Sequence, residues 1–171
     1  MIVGIGIAAN VELAQAAGLA TENGIVVDAF TRTSDPDIYA VGDCSNHPSA
    51  LYGGRLRLES VPNALGQGKT AALAILDKPV AYDEVPWFWS DQYDLKLQIA
   101  GIAKAGDTLI VRGDPAQKKF AVFHLRDGAV AAVESVNAAP EYIIGRKLIG
   151  AGTKVDSGQL ADTNVPMKNF G

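Results

Sequence analysis

With 171 residues, 48% hydrophobic and 20% charged, the chain has the balance of one or two small folded domains and not of a disordered segment. A formal net charge of −4 excludes a broad electrostatic footprint for nucleic acid. No apolar run approaches the roughly 20 residues that cross a bilayer as a helix, so neither a nucleic acid nor a membrane is an expected partner.

Met1 opens an apolar stretch with no basic residues before it that runs into Asn10-Val11-Glu12, which is not a signal-peptide pattern. Ile2-Val3-Gly4-Ile5-Gly6-Ile7 is β-branched and reads as a buried strand. Asn10 is a candidate N-cap for a helix over 11–17, closed by Gly18. Asn23-Gly24 is a turn, and Ile25-Val26-Val27 a short strand. Ser34-Asp35-Pro36-Asp37 is turn chemistry, with Pro36 setting φ. Residues 38–41 then read as a strand ending at Gly42-Asp43. This pattern describes an α/β layer. A buried strand at residue 2 has no partner on its N-terminal side, so earlier strands are expected to be absent and residue 1 is not expected to be the start of the domain.

Residues 45–57 read as loop. Ser60 caps a helix with Pro62 in its first turn, where the missing N–H costs nothing. Val61, Leu65, Ala72, Ile75 and Leu76 share one face of that helix at helical spacing. Gly66, Gly68, Ala71 and Ala74 keep the rest of it small. The two glycines each cost roughly 1 kcal/mol relative to Ala, which points to tight packing against backbone or ligand. Residues 77–84 are polar, carry Pro79 and read as a linker, so that 1–82 and 83–171 form separate parts. In the second part, 95–99, 108–111, 120–125 and 129–136 are strand-like and joined by turns such as Arg126-Asp127-Gly128. Pro140 opens a helix over about 141–149, and 151–171 reads as a loosely structured tail. Hairpin strands followed by a helix indicate a small α+β domain with an antiparallel sheet.

Several residues are candidates for chemistry. Asp43 follows a strand and a glycine, at the end of a sheet where open α/β folds bind ligands; Gly42 would let a ligand approach, or Gly42-Asp43 is simply a turn. The N–H groups around Val61 carry the positive end of a helix dipole, which suits an electron-rich ligand edge or merely needs a cap. Trp87 and Trp89 share a face if their segment is extended, as a docking surface or as a core anchor. His47 and His124 have no ligand-spaced neighbours that would build a metal site. Cys44 reads as a small buried residue, because no partnered base accompanies it. Its isolation excludes an intrachain disulfide or a Cys-x-x-Cys pair, so redox chemistry would need a bound cofactor, and a reducing, cytoplasmic setting fits. Gly4-Ile5-Gly6 is too short for a dinucleotide fingerprint. Arg55, Arg57 and Lys69, with Glu59 among them, are either a solvated surface or a positive patch that steers an acidic partner.

Together these segments are more specific than any one. The run from Thr33 through Asp35-Pro36-Asp37-Ile38-Tyr39-Ala40-Val41-Gly42-Asp43-Cys44 resembles the second FAD-binding motif of the flavoproteins with two dinucleotide-binding domains. Leu58-Glu59-Ser60-Val61-Pro62-Asn63-Ala64-Leu65 and Pro86-Trp87-Phe88-Trp89-Ser90-Asp91-Gln92 are similar to the FAD-dependent NAD(P)H:ferredoxin reductases that serve bacterial P450s and ring-hydroxylating dioxygenases. The resemblance covers essentially the whole chain, down to Arg146-Lys147-Leu148-Ile149. It implies an α/β remnant followed by the α+β C-terminal domain. It also implies that Asp43, with Gly42, binds the FAD ribitol or pyrophosphate region and that the backbone at Val61 meets the flavin. Gly4 and Gly6 would lie beside the nicotinamide with Glu59 nearby. Trp89, with Trp87, would sit near the flavin edge facing a [2Fe–2S] ferredoxin, and Lys69 on the docking face. The flavin carries the chemistry, so no acid–base catalytic residue is implied.

The family's two Gly-x-Gly-x-x-Gly fingerprints are missing, and its members are more than twice this length. The expectation is therefore an inactive C-terminal portion that binds FAD weakly or not at all. The competing expectation is a non-catalytic interaction domain that self-associates through exposed apolar surface and strand edges. A related flavin oxidase or disulfide reductase is disfavoured by the missing Cys pair and by the Trp87–Trp89 segment.

Overall fold

The computed structural model describes residues 1–171, in two units, Met1–Asp83 and Glu84–Gly171. In the first, helix α1 spans Glu12–Ala16; Val11 takes the N-cap position without a side-chain bond, so Asn10, the expected cap, lies one residue before the observed one. Strand β1 (Ile25–Val26) pairs in parallel with β2 (Ser45–Ser49), and β2 pairs antiparallel with β3 (Gly54–Leu56). The parallel pair is the α/β element of this unit.

Three expectations are corrected here. Residues 2–7 form no strand, and Ile2 and Ile5 are 100% and 91% exposed. β-propensity alone does not hold a strand without a neighbour to pair with, and no strand of this chain lies alongside. Residues 38–41 contribute only an isolated bridge between Arg32 and Tyr39, after which the chain enters a 3-10 turn, Gly42–Cys44. The regular strands β2 and β3 fall where the sequence reads as loop. Ser-Asn-His-Pro-Ser has none of the β-branched or aromatic residues that mark a strand. Yet Ser45, Asn46 and His47 are all buried, because polar partners meet them.

Helix α2 covers Val61–Ile75, with Ser60 Oγ accepting from the Asn63 N–H at 3.3 Å and Pro62 in the first turn. Its buried side is Pro62, Asn63, Gln67, Thr70, Ala71 and Ala74, whereas the apolar stripe Val61, Leu65, Ala72, Ile75, Leu76 is exposed. A Cβ added at Gly68 would meet nothing within 4 Å. The close approach to this helix comes at Ala64, whose Cβ would stand 3.4 Å from one built on Gly42.

The second unit is a five-stranded antiparallel sheet in the order β4-β5-β8-β7-β6, covered on one face by α3 (Ala139–Ala151). The strands are β4 (Trp87–Gln92), β5 (Leu95–Gly101), β6 (Thr108–Asp114), β7 (Lys119–Arg126) and β8 (Ala129–Val136). Alternation sends Ala121, Phe123 and Leu125 of β7, with Val133 of β8, into a core closed by Tyr142, Leu148 and Ile149 of α3. Gly145 sets the helix–sheet distance, since a Cβ there would meet Val133 Cγ1 at 2.7 Å.

Residues 151–171 are not a loose tail. They contain α4 (Ser157–Ala161), capped by Asp156, and a 3-10 turn, Met167–Asn169, and they bury Leu160 and Met167 in the core. Arg112 of β6, 4% exposed, anchors them by donating to the carbonyls of Leu160 (3.1 Å), Asp162 (2.6 Å) and Val165 (2.8 Å). Its Nε pairs with Glu141 of α3 at 3.2 Å. An interior arginine in a strand is the part of this anchoring that apolar periodicity cannot register.

Candidate functional site

Gly42 turns the chain at φ +80°, a conformation that favours glycine, and its buried N–H donates to Gln67 Oε1 at 2.7 Å. Ser45 Oγ lies 2.7 Å from the same oxygen and 2.9 Å from the Gly42 carbonyl. On its other side the Gln67 amide bonds His47 Nδ1 at 3.0 Å. The His47 ring meets Tyr82 edge-on at 5.1 Å between centroids. Burial, and secondarily the charge of Arg55, holds the His47 imidazole below its ordinary value. Gln67 is fully buried. It thereby ties α2 to the Gly42–Cys44 turn.

The expected site residues divide into two groups. Gly42, Asp43, Glu59 and Val61 converge. Arg57 Nη1 donates to the Asp43 carbonyl at 3.1 Å and pairs with Glu59 at 2.7 Å, joining the turn to the segment that leads into α2. The Asp43 side chain is exposed and Val61 is 59% exposed at the first position of the helix. Gly4 and Gly6 are exposed in a segment without regular structure, and Lys69 is exposed on α2. Arg55 is no part of a free basic patch: it bonds the carbonyls of Val27 and Asn46 and the Asn46 side chain. With Arg57 also paired, only Lys69 of the three cations presents an uncommitted charge.

These residues fit the cofactor that the sequence implies. The Gly42 backbone is held with no side chain in the way, the Asp43 carboxylate has no protein partner, and the first turn of α2 spends its Ser60 cap on Asn63 alone. Ribitol and phosphate-bearing ligands need an acceptor for hydroxyls and a positive helix end of this kind.

In the second unit, Trp87 and Trp89 project to the same side of β4, with ring centroids 5.5 Å apart. Trp87 packs toward Tyr142 at 6.3 Å beneath the Arg146 guanidinium, 5.4 Å from the ring. Trp89 is 38% exposed. The two readings of this pair thus separate: Trp87 packs against the core and Trp89 meets solvent. His124 is a packed strand residue beside Glu134, and Cys44 is half-buried, its thiol donating to the Val41 carbonyl at 3.7 Å. Gln67, Arg112 and the polar strand β2 escape a reading based on hydrophobic periodicity. A glutamine on the small-residue side of α2 is the one trace of Gln67.

Fold and site define a class: the last segment of a two-dinucleotide-binding-domain flavoprotein, followed by an α+β reductase domain. The "Pyridine nucleotide-disulphide oxidoreductase" family model matches residues 1–68, and the "Reductase C-terminal" model matches 87–171. The 5,5'-dehydrodivanillate O-demethylase ferredoxin reductase subunit of a Sphingobium species is 48% identical over 171 residues, covering 99% of this chain and 42% of that protein. Putidaredoxin reductase of Pseudomonas putida is 44% identical over 170 residues, covering 99% of this chain and 40% of its own length. A crystal structure of a ferredoxin reductase from Rhodopseudomonas palustris matches with a TM-score of 0.92 at 42% identity, covering 97% of this chain and 41% of that one. The chain matches the C-terminal portion of the FAD-dependent NAD(P)H:ferredoxin reductases. It spans about two fifths of the length of the curated relatives.

Proposed function

We propose that this chain is part of an oxidoreductase that passes electrons from NAD(P)H through FAD to a [2Fe–2S] ferredoxin serving a P450 or dioxygenase. The observation that carries the reading is the Gly42–Asp43 turn seated by Gln67 against the start of α2. In it, Asp43 accepts hydroxyls of the FAD ribitol or pyrophosphate region, and the α2 N-terminus at Val61 faces the flavin with its positive dipole. Glu59, held by Arg57, and the Gly4–Gly6 segment belong to the nicotinamide side. FAD, when bound, supplies the hydride acceptor and the one-electron donor. Trp89 and Lys69 would contribute to ferredoxin docking, and Trp87 supports Trp89 from behind. A cytoplasmic setting belongs to the same proposal.

Alone, these 171 residues bind FAD weakly or not at all, since Val61, Leu65, Ile2 and Ile5 stand in solvent where a flavin pocket needs walls. Gel filtration with excess FAD followed by a visible spectrum tests this. A colourless protein is the expected result, and one tightly bound FAD per chain would refute it.

A second reading has its own observation: Ile2, Ile5, Leu13, Leu65, Ile75 and Leu76 are each at least 64% exposed in the first unit. Such a surface suits a non-catalytic module that self-associates. Titration with a [2Fe–2S] ferredoxin separates the two. Binding that weakens as salt rises supports the reductase reading, whereas concentration-dependent self-association without ferredoxin binding supports the module.

A further inference from the structure

The bonds around Gln67 determine where a proton must sit. The Gly42 N–H can only donate, so the Gln67 atom 2.7 Å away is necessarily the amide oxygen. That leaves Nε2, itself only a donor, 3.0 Å from His47 Nδ1. His47 therefore accepts at Nδ1 and carries its proton on Nε2. An imidazolium would set one N–H against another. The amide cannot escape by turning over, because it would then face the Gly42 N–H with its own donors. Ser45 does not decide the matter, since its single hydroxyl proton can serve either Gln67 Oε1 or the Gly42 carbonyl.

We propose that Gln67 and His47 are positioning residues for the Gly42–Asp43 turn: neutral His47 orients the Gln67 amide, the oriented amide holds the turn, and protonation of the imidazole releases it. The groups facing His47 are consistent with a ring kept neutral. Gln67 comes from α2, Tyr82 from the segment after it, and Arg55 from β3, the one charged group whose field reaches the ring. No carboxylate pairs with His47, so nothing offsets burial when the ring gains a proton. The consequence for FAD, weaker retention on acidification, rests on the proposed function. The coupling itself does not.

The test is two-dimensional NMR of the isotopically labelled 171-residue chain, without FAD, titrated from about pH 8 to about pH 5. At the neutral end the His47 ring should show its proton on Nε2. On acidification the ring should titrate below a free imidazole, and the Gly42 amide proton should move upfield with the same midpoint as its hydrogen bond is lost. His47→Asn keeps an acceptor oxygen near the Nδ1 position but cannot titrate, so it should abolish the Gly42 movement. Gln67→Glu offers oxygen to both neighbours and favours the imidazolium, so it should raise the His47 midpoint above that of the unsubstituted chain. A side chain that merely fills space would not reverse that direction. A Gly42 amide indifferent to the His47 titration, or a midpoint unmoved or lowered by Gln67→Glu, overturns the proposal. The titration of the unsubstituted chain decides the point even if a variant fails to fold. Because no cofactor is added, failure here counts against the positioning pair alone, while the reductase reading rests on the ferredoxin titration.

Discussion

In Glu84–Gly171 the fully buried side chains include Phe123, Val133, Leu148 and Leu160, whereas in Met1–Asp83 they include Gln67, Thr31, Ser45 and Val27. The first set gains stability from non-directional removal of apolar area, at roughly 25 cal/mol per Å². In the second, Gln67 and Ser45 rely on hydrogen bonds that each contribute only about 1 kcal/mol net, but cost about 1–3 kcal/mol when one partner is left buried alone, as the Thr31 hydroxyl already is. The large apolar residues of Met1–Asp83 are mostly outside, among them Ile2, Ile5, Val61, Leu65 and Ile75. One unit is thus organised by shape and the other by donor–acceptor matching. The first should yield to a cavity or a buried charge defect, and the second to a lost bond or an added proton.

The largest effect is expected at the exception inside the apolar unit. Arg112 is a buried cation whose fork serves three backbone carbonyls and Glu141. Arg112→Met keeps the bulk but leaves those acceptors and a half-desolvated carboxylate without a partner. A loss of about 3–5 kcal/mol is expected. Both tryptophans lie in this unit, so a urea transition followed by tryptophan fluorescence reads it directly. The variant should also be cut by protease beyond Asp156 well before the strands. An unchanged midpoint would show that α4 and the Met167 turn are held by Leu160 and Met167 burial alone.

How far each unit was legible in the sequence follows from the same contrast. The strands β5 to β8 and helix α3 announce themselves through alternation and through Pro140, because hydrophobic burial writes a period into the chain. The Ser60 cap was legible for an equally local reason. β2 was not: Ser45, Asn46 and His47 form a strand because Gln67, Glu22 and Arg55 lie beside them, and nothing within the pentapeptide says so. The stripe on α2 misleads in the opposite direction. Apolar spacing usually marks the core side of a helix, yet here Asn63, Gln67 and Thr70 face inward. Of the candidate site, Gly42, Asp43 and Val61 were legible as a motif. Gln67 and His47, which hold that motif, were not, since their partners are 20 to 25 residues away.

A smaller effect sharpens the comparison with acid. The His47 value is depressed in the folded chain, so between the folded and the ordinary value the unfolded state binds more protons. Its contribution to stability is complete above the ordinary imidazole range and is lost as pH falls through the folded value. In the other unit the Arg126 guanidinium, bonded to Asp107 at 2.7 Å, holds that carboxyl below its ordinary value. That contribution is complete above about pH 4 and is lost only below it. Amide resonances of residues 42–49 should therefore broaden or shift at a higher pH than those of residues 104–107, which surround the Asp107 carboxylate. Simultaneous loss would mean that the polar cluster around His47 is not the acid-sensitive element.

The smallest effect is expected where helical spacing alone would predict the greatest. Leu65 sits on the apolar stripe of α2 and is 70% exposed. Lysine is as good a helix former as leucine, and its stem can lie along the same surface. Leu65→Lys should therefore change the urea stability of the chain by no more than about 0.5 kcal/mol, the usual range for a surface position. It should also reduce any self-association seen by sedimentation, because a charge now interrupts the stripe shared with Val61 and Ile75. A loss above about 1 kcal/mol at a concentration where the chain is monomeric would require Leu65 to be covered within the chain itself. The contrast between an apolar unit and a hydrogen-bonded one would then fail at the helix that defines it.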